Sequence, residues 1–350
     1  MRAFGFLSFG HYMNGRGSQT RTASEMLKQA VEIGVGADEL GVNGAYFRVH
    51  HFATQQASPM PLLATIAAKT KHIEVGTGVI DMRYENPLYL AEEAAALDIL
   101  ADGRIALGIS RGSPETVLRG YEQFGYTGST DERGADIARE KTDLFLRAID
   151  GAPLAQGDPT MTGSRRKVAI EPRSASLRDH IWWGSATRET AEWTGAQGLN
   201  LMSSTLLTED GGMPFDQLQA EQILRFREAY RAAGHKGAPR VSVSRSIFPI
   251  MNAQDAAYFG GAAERHDAVG MIDGFRSTFG RTYAGEPDQL IEALKKDKAI
   301  ELADTLMLTI PNQLGPEYNL HILESFAKHV APALGWQPNW QGPVTGDPIN

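Results

Sequence analysis

The chain has 350 residues, with 34 Lys+Arg against 42 Asp+Glu, a formal net charge of −8 and no cysteine. The acidic balance argues against a phosphate-tracking nucleic-acid binder, and the missing thiols exclude disulfide scaffolds, thiolate metal sites and cysteine nucleophiles. At 42% hydrophobic it reads as a soluble globular protein with ample core, and no stretch approaches the roughly 18 apolar residues of a membrane helix.

In chain order, short apolar runs alternate with longer amphipathic ones. Strands are expected at Ala3–Phe9, Gly44–Val49, His72–Ile80, Arg104–Ser110, His180–Gly184, Gly198–Met202, Arg240–Pro249 and Thr305–Ile310. The first lacks the basic lead and small-residue cleavage site of a secretory leader, so it reads as a buried strand, and a cytoplasmic location is expected. Helices are expected at Thr22–Gly34, Pro87–Ala101, Thr187–Gly195, Asp216–Gly234, Asp288–Lys296 and Tyr318–Val330, several bounded by Pro near the start or Gly at the end. Asp102-Gly103 supplies a turn into the fourth strand. Gly151–Asp179 and the glycine-rich Met251–Gly285 read as long loops, the second able to close over a site. Arg165-Arg166-Lys167 reads as a solvated loop. Eight strands alternating with helices suggest an α/β (β/α)8 TIM barrel over residues 1–335, followed by an extended tail over 336–350. An open doubly wound sheet is the alternative.

Three patterns bear on chemistry. Gly108-Ile109-Ser110-Arg111-Gly112 is a literal G-x-S-x-G, which would make Ser110 a hydrolase nucleophile if Asp304 and His321 completed a triad; Pro114–Leu118 would then begin the following helix. The HGGG-like run that such enzymes use for an oxyanion hole is missing. His50-His51 ends the second strand, on the edge where a barrel gathers catalytic groups, so a strand-capping histidine, an acid/base group and, less readily, a metal ligand are all open. Gly34-Val35-Gly36 and Gly76-Thr77-Gly78 both fail G-x-G-x-x-G, so a dinucleotide fingerprint is absent.

A longer ordered set carries a resemblance. Val75-Gly76-Thr77-Gly78-Val79-Ile80, Asn86-Pro87, Ala91-Glu92-Glu93, Leu97-Asp98, Gly103-Arg104 and Gly108-Ile109-Ser110-Arg111-Gly112 together resemble the bacterial luciferase-like flavin monooxygenases. His50-His51-Phe52, Trp183-Gly184-Ser185-Ala186-Thr187 and Ala191-Glu192-Trp193 extend the likeness. It implies a barrel, usually a homodimer, that binds reduced FMN at the carboxyl ends of the strands. A separate NAD(P)H:flavin reductase would deliver the FMN. The flavin would react with O2, and its C4a-peroxide would oxygenate a small organic substrate. A deazaflavin oxidoreductase and a non-catalytic flavin binder on the same fold are alternatives, beside the serine hydrolase using Ser110. The resemblance assigns Arg111 and Arg133 to the FMN phosphate, with Ser185 and Ala186 in the phosphate-binding turn. It sets Gly78 and Val79 at an often cis peptide beside the flavin ring, and puts Ser110 where luciferase has a reactive cysteine. His50 matches an acid/base histidine, although Val49 replaces the glutamate that precedes it in luciferase. Helix Pro87–Ala101 would face the second subunit.

Overall fold

Strand β1 (Ala3–Ser8) pairs in parallel with β2 (Gly44–Phe47), and the ring continues through β3 (Glu74–Thr77), β4 (Ile105–Ser110), β5 (Ile181–Ser185), β6 (Asn200–Ser203), β7 (Val241–Pro249) and β8 (Thr305–Ile310). Strand β8 pairs back onto β1, with Ala3 opposite Thr305 and Ser8 opposite Ile310, so the eight-stranded parallel barrel is closed and has no open edge. This is a computed structural model, and it describes residues 1–112, 115–209, 212–262, 266–272 and 275–349.

Alternation along each strand sorts its side chains. Phe4, Phe6, Phe47, Val75, Ile109, Trp183, Leu201, Val243 and Leu308 point outward into the core shared with the helices. Leu7, Tyr46, Ala106, Trp182, Met202 and Met307 pack together inside the barrel. Helices α1 (Ala23–Glu39), α2 (Pro59–Lys69), α3 (Pro87–Leu100), α4 (Ala135–Ile149), α5 (Arg188–Ala196), α6 (Phe215–Ala232), α7 (Pro287–Lys295) and α8 (Gly315–His329) form the outer layer. No helix among the described residues is long and apolar enough to cross a membrane.

Several expectations change. Helix α1 does not stop at Gly34. A Cβ on Gly34 would lie 2.9 Å from Ile66 of α2, and one on Gly36 would lie 2.7 Å from Leu320 of α8. These glycines allow close helix packing, and the turn comes at Gly41, whose φ is 74°. Helices α2 and α4 fall where no helix was expected. The third strand is shorter than His72–Ile80, breaking at a cis Gly78–Val79 peptide before a short strand, Ile80–Asp81, resumes beside β4. Met251–Gly285 is not one loop. It contains a helix at Ala253–Phe259 and a hairpin, Ala268–Ile272 with Phe275–Phe279, that adds Leu206–Leu207 as a third antiparallel strand. Strand Thr282–Gly285 then pairs with β7. Gly274 of that segment, and Pro114 of the expected Pro114–Leu118 helix, lie outside the described residues.

Gly151–Asp179 holds a two-stranded hairpin, Ala155–Gln156 with Lys167–Val168. The tail crosses the amino ends of the strands. The Trp336 Nε1 donates to Asn43 at 2.7 Å, Asn339 N to Gly41 O at 2.9 Å and Ile349 N to Gly237 O at 2.8 Å.

Candidate active site at the carboxyl end of the barrel

The uppermost inward positions of the eight strands follow from the same alternation. They are Phe9, Arg48, Gly78, Ser110, Gly184, Ser204, Ser246 and Thr309. Seven of the eight are half-exposed, and Ser110 is the buried one, whereas the positions just below them are buried. The barrel is therefore filled at depth and open at this end, where barrel enzymes place their chemistry.

The wall of this mouth differs around its circumference. On β3, β4 and β5 it is lined by Gly78, Gly108 and Gly184, with Ser110 above Gly108 on β4. A Cβ on Gly108 would lie 2.2 Å from Thr77 O and 2.9 Å from Val79, one on Gly184 would lie 3.1 Å from Val79, and one on Gly78 would lie 2.8 Å from Leu7. Val79 lies across these glycines and packs onto the inner cluster with Phe9. On β6, β7 and β8 the wall carries hydroxyls, with Ser246 Oγ and Thr309 Oγ1 2.7 Å apart. On β1 and β2 it carries Phe9 and Arg48, the guanidinium carbon 4.8 Å from the ring centroid, and His11 stacks with Phe9 at 5.8 Å.

His50 and His51 lie just past the end of β2 and face different neighbours. His50 is buried, its N–H donates to Gln56 O at 2.9 Å, and its Nδ1 lies 3.5 Å from Glu115 Oε1. His51 stacks on Tyr84 at 4.1 Å, and burial pushes its imidazole below the ordinary histidine range. Burial lowers His11 as well, with Arg48 and His50 adding to the effect. Burial also brings the Arg48 guanidinium down to about 10, partly opposed by Glu115.

Beyond the glycine wall, cations gather between β4 and β5. Arg111 is exposed at the end of β4. Its charge is felt by Asp131, which it helps to lower, and by Arg139 of α4, which is lowered first by burial and then by Arg111. Arg139 lies 3.8 Å over the Trp193 ring. Arg133 is anchored by its backbone: its N–H donates to Asp131 Oδ1 at 2.9 Å and its C=O accepts from Arg83 at 3.0 Å. The Ser185 hydroxyl donates to Thr187 O at 2.9 Å and accepts from Gln222 at 3.3 Å, so it is committed to the α6 side. Ala186 lies in the half-buried turn leading into α5, with its C=O accepting from Thr208 N at 2.9 Å.

The hydrolase reading of Ser110 fails on geometry. Its Oγ accepts from Gly112 N at 2.9 Å, while Asp304 precedes β8 at the opposite end of the barrel and accepts from Val241 N. His321 lies on α8 and pairs with Asp255 at 3.1 Å. No base is brought to Ser110 by these partners. The sequence reading passed over Arg48, Glu115 and Arg139. The first was visible once strand phase was fixed, since Tyr46 and Arg48 share a face. The other two depend on loop and helix placement.

The luciferase-like monooxygenase family model matches residues 6–298. The oxygenase component of a flavin-dependent trigonelline monooxygenase from Acinetobacter baylyi is 35% identical over 312 residues, covering 83% of this chain and 81% of that protein. An uncharacterised protein of Sinorhizobium fredii is 28% identical over 194 residues, and the match spans 53% of this chain and only 52% of that protein. Among solved structures, the oxygenating constituent of a Pseudomonas putida 3,6-diketocamphane monooxygenase in complex with FMN aligns with TM-score 0.69 at 18% identity, covering 95% of this chain and 99% of the other. A coenzyme F420-dependent tetrahydromethanopterin reductase from Methanopyrus kandleri aligns with TM-score 0.63 at 14% identity, with the same two coverages. The match over most of its length places the chain in the luciferase-like monooxygenase family.

Proposed function

We propose that the protein is the oxygenase of a two-component system that uses reduced FMN and O2 to place one oxygen atom in a small organic substrate. A separate NAD(P)H:flavin reductase would supply the reduced flavin. The observation that carries this is the wall of Gly78, Gly108 and Gly184 with Val79 laid across it, at the same end of the barrel as the cations Arg111 and Arg139. A flat ring fits over the Val79 side chain, which fills the space that Cβ atoms on Gly108 and Gly184 would need, and an anionic tail fits the arginines, whose planar forks suit phosphate.

In this reading Val79 supports the ring. Arg111, Arg133 and Arg139 meet the phosphate, and the backbone at Ala186 closes around it. Reduced FMN, when bound, supplies the two electrons that let one atom of O2 enter the substrate and the other leave as water. His50 holds or releases a proton at its imidazole beside the reacting groups, oriented by its contact with Glu115. Phe9, Val79 and the paired strands Ala268–Ile272 and Phe275–Phe279 exclude water. The same reading makes the chain a cytoplasmic homodimer paired through the outer face of α3, where Tyr89, Ile99 and Leu100 are exposed.

Titration of the purified protein with FMN, reduced FMN and a deazaflavin tests the cofactor. Tight binding of reduced FMN, with substrate-dependent consumption of O2, is expected. Binding of the deazaflavin in its place would move the protein to the hydride-transferring branch of this fold.

A further inference from the structure

Of the eight uppermost inward positions of the barrel, Arg48 carries the only charge; the other seven are an aromatic ring, three small hydroxyl-bearing serines, one threonine and two glycines. Strand phase holds Arg48 there, because Tyr46, two residues earlier, is part of the inner cluster. Its stem lies along the wall and its guanidinium lies over Phe9 at 4.8 Å. Removing an arginine from water is costly unless its charge is answered, and the fall of its pKa to about 10 records that cost. Glu115 is one of the groups whose charge answers it. The Glu115 Oε1 faces His50, and its Oε2 accepts no hydrogen bond, from Arg48 or from any other group. A fork of five N–H donors can serve more than one partner, so this cation can also meet an anion entering from the mouth.

Resting on the reading of this mouth as an oxygenase site, we propose that Arg48 selects an organic substrate bearing a carboxylate. The rest of that molecule lies over Phe9 and Val79, opposite the hydroxyls of Ser246 and Thr309. The pairing is bidentate in character, so it favours planar anions over neutral compounds of the same shape. A second source of negative charge is the reduced flavin ring itself, and the test separates the two.

Benzoate and its neutral isostere benzamide are titrated into the full-length protein, with and without FMN, by calorimetry and ligand-observed NMR. Benzoate is expected to bind at least about tenfold more tightly than benzamide, the scale of one charge-assisted contact. Arg48→Gln should abolish the difference, and Arg48→Lys should keep part of it, in proteins whose circular dichroism and melting match the parent. Equal binding of the two probes overturns the proposal, as does a preference that survives in Arg48→Gln, or no binding of either below about 10 mM, beyond the weak end of the affinity scale. So does an Arg48→Gln variant that loses affinity for reduced FMN while still preferring benzoate, which would assign the arginine to the flavin. Failure of FMN to bind while the benzoate preference holds would sink the cofactor reading and leave this one standing.

Discussion

The two ends of the barrel hold charge in opposite ways. At the amino end Glu74 and Arg240 meet inside the ring at 2.6 Å, and Glu74 also accepts from the Tyr46 hydroxyl at 2.8 Å. Arg240 reaches Thr305 as well, and its guanidinium lies 4.6 Å over Trp182. Those charges are answered within the protein, and the tail closes over that end. At the carboxyl end Arg48 lies over a ring in a half-open mouth, and its facing carboxylate is turned to a histidine. A buried pair that satisfies itself serves the fold, whereas charge held at an opening is also within reach of a ligand.

The largest effect should come from breaking the closed end. Glu74→Ala strands the Arg240 cation inside the barrel and should cost about 3–5 kcal/mol in urea unfolding. The double variant Glu74→Leu with Arg240→Met should recover most of that loss. Arg48→Gln, at the open end, should cost less, about 1 kcal/mol, because water at the half-exposed mouth can take over the contacts that are lost. Equal losses at the two ends would erase the contrast.

Next in size is His50. His50→Ala should leave FMN binding nearly intact and lower product formed per reduced flavin by about 10²–10⁴-fold, the usual general acid–base share. Hydrogen peroxide should rise to account for the lost product. His51→Ala is the control, since its ring stacks on Tyr84. A loss in the His51 variant alone would transfer the role to that residue.

Arg111→Ala should weaken FMN binding by about 1.5–3 kcal/mol, the range for a hydrogen bond to a charged group. Arg139→Ala should act in the same direction through the shared anion. Unchanged FMN affinity in both would remove this cluster from the cofactor site.

How much of this was legible follows from the same residues. The eight strands could be read because each is a short apolar run between turn signals, and Arg111 could be read because it belongs to a local motif. Helix α2 starts at Pro59 and carries Pro61 in its first turn, where a proline forfeits no helical hydrogen bond, so residues that usually end helices begin this one. Helix α4 has no side-chain cap on its own N-cap residue, Gly134. Asp131 instead accepts from Ala135 N at 2.9 Å, from four residues back. With α4 unseen, Arg139 could not be brought to Arg111. Glu115 belongs to no periodic segment, so its meeting with His50 is a tertiary fact.

The smallest expected effect concerns the wall behind the mouth, where a carboxyl and an amine face each other half-buried. Burial raises Glu85 to about 7, with Glu93 adding to the rise and Lys141 opposing it. Burial lowers Lys141 to about 8, while its Nζ donates to Arg83 O at 2.6 Å. For each group desolvation outweighs the attraction between them, so burial penalises both charged forms. The sign for stability follows from proton binding. An unfolded glutamate titrates near 4.5 and the folded one near 7, so between these values the native state holds the extra proton. The stability that the neutral carboxyl confers is therefore present at pH 4.5 and below, and is lost as pH rises through 7. Glu85→Gln keeps the shape and removes the titration. It should match the parent's melting temperature at pH 5 and exceed it at pH 8, by about 1–2 kcal/mol in stability once partial exposure is allowed for. A variant less stable than the parent at pH 8 would mean that the Glu85–Lys141 pair holds the wall together by its charge, and the two ends of the barrel would then share one way of using buried ions.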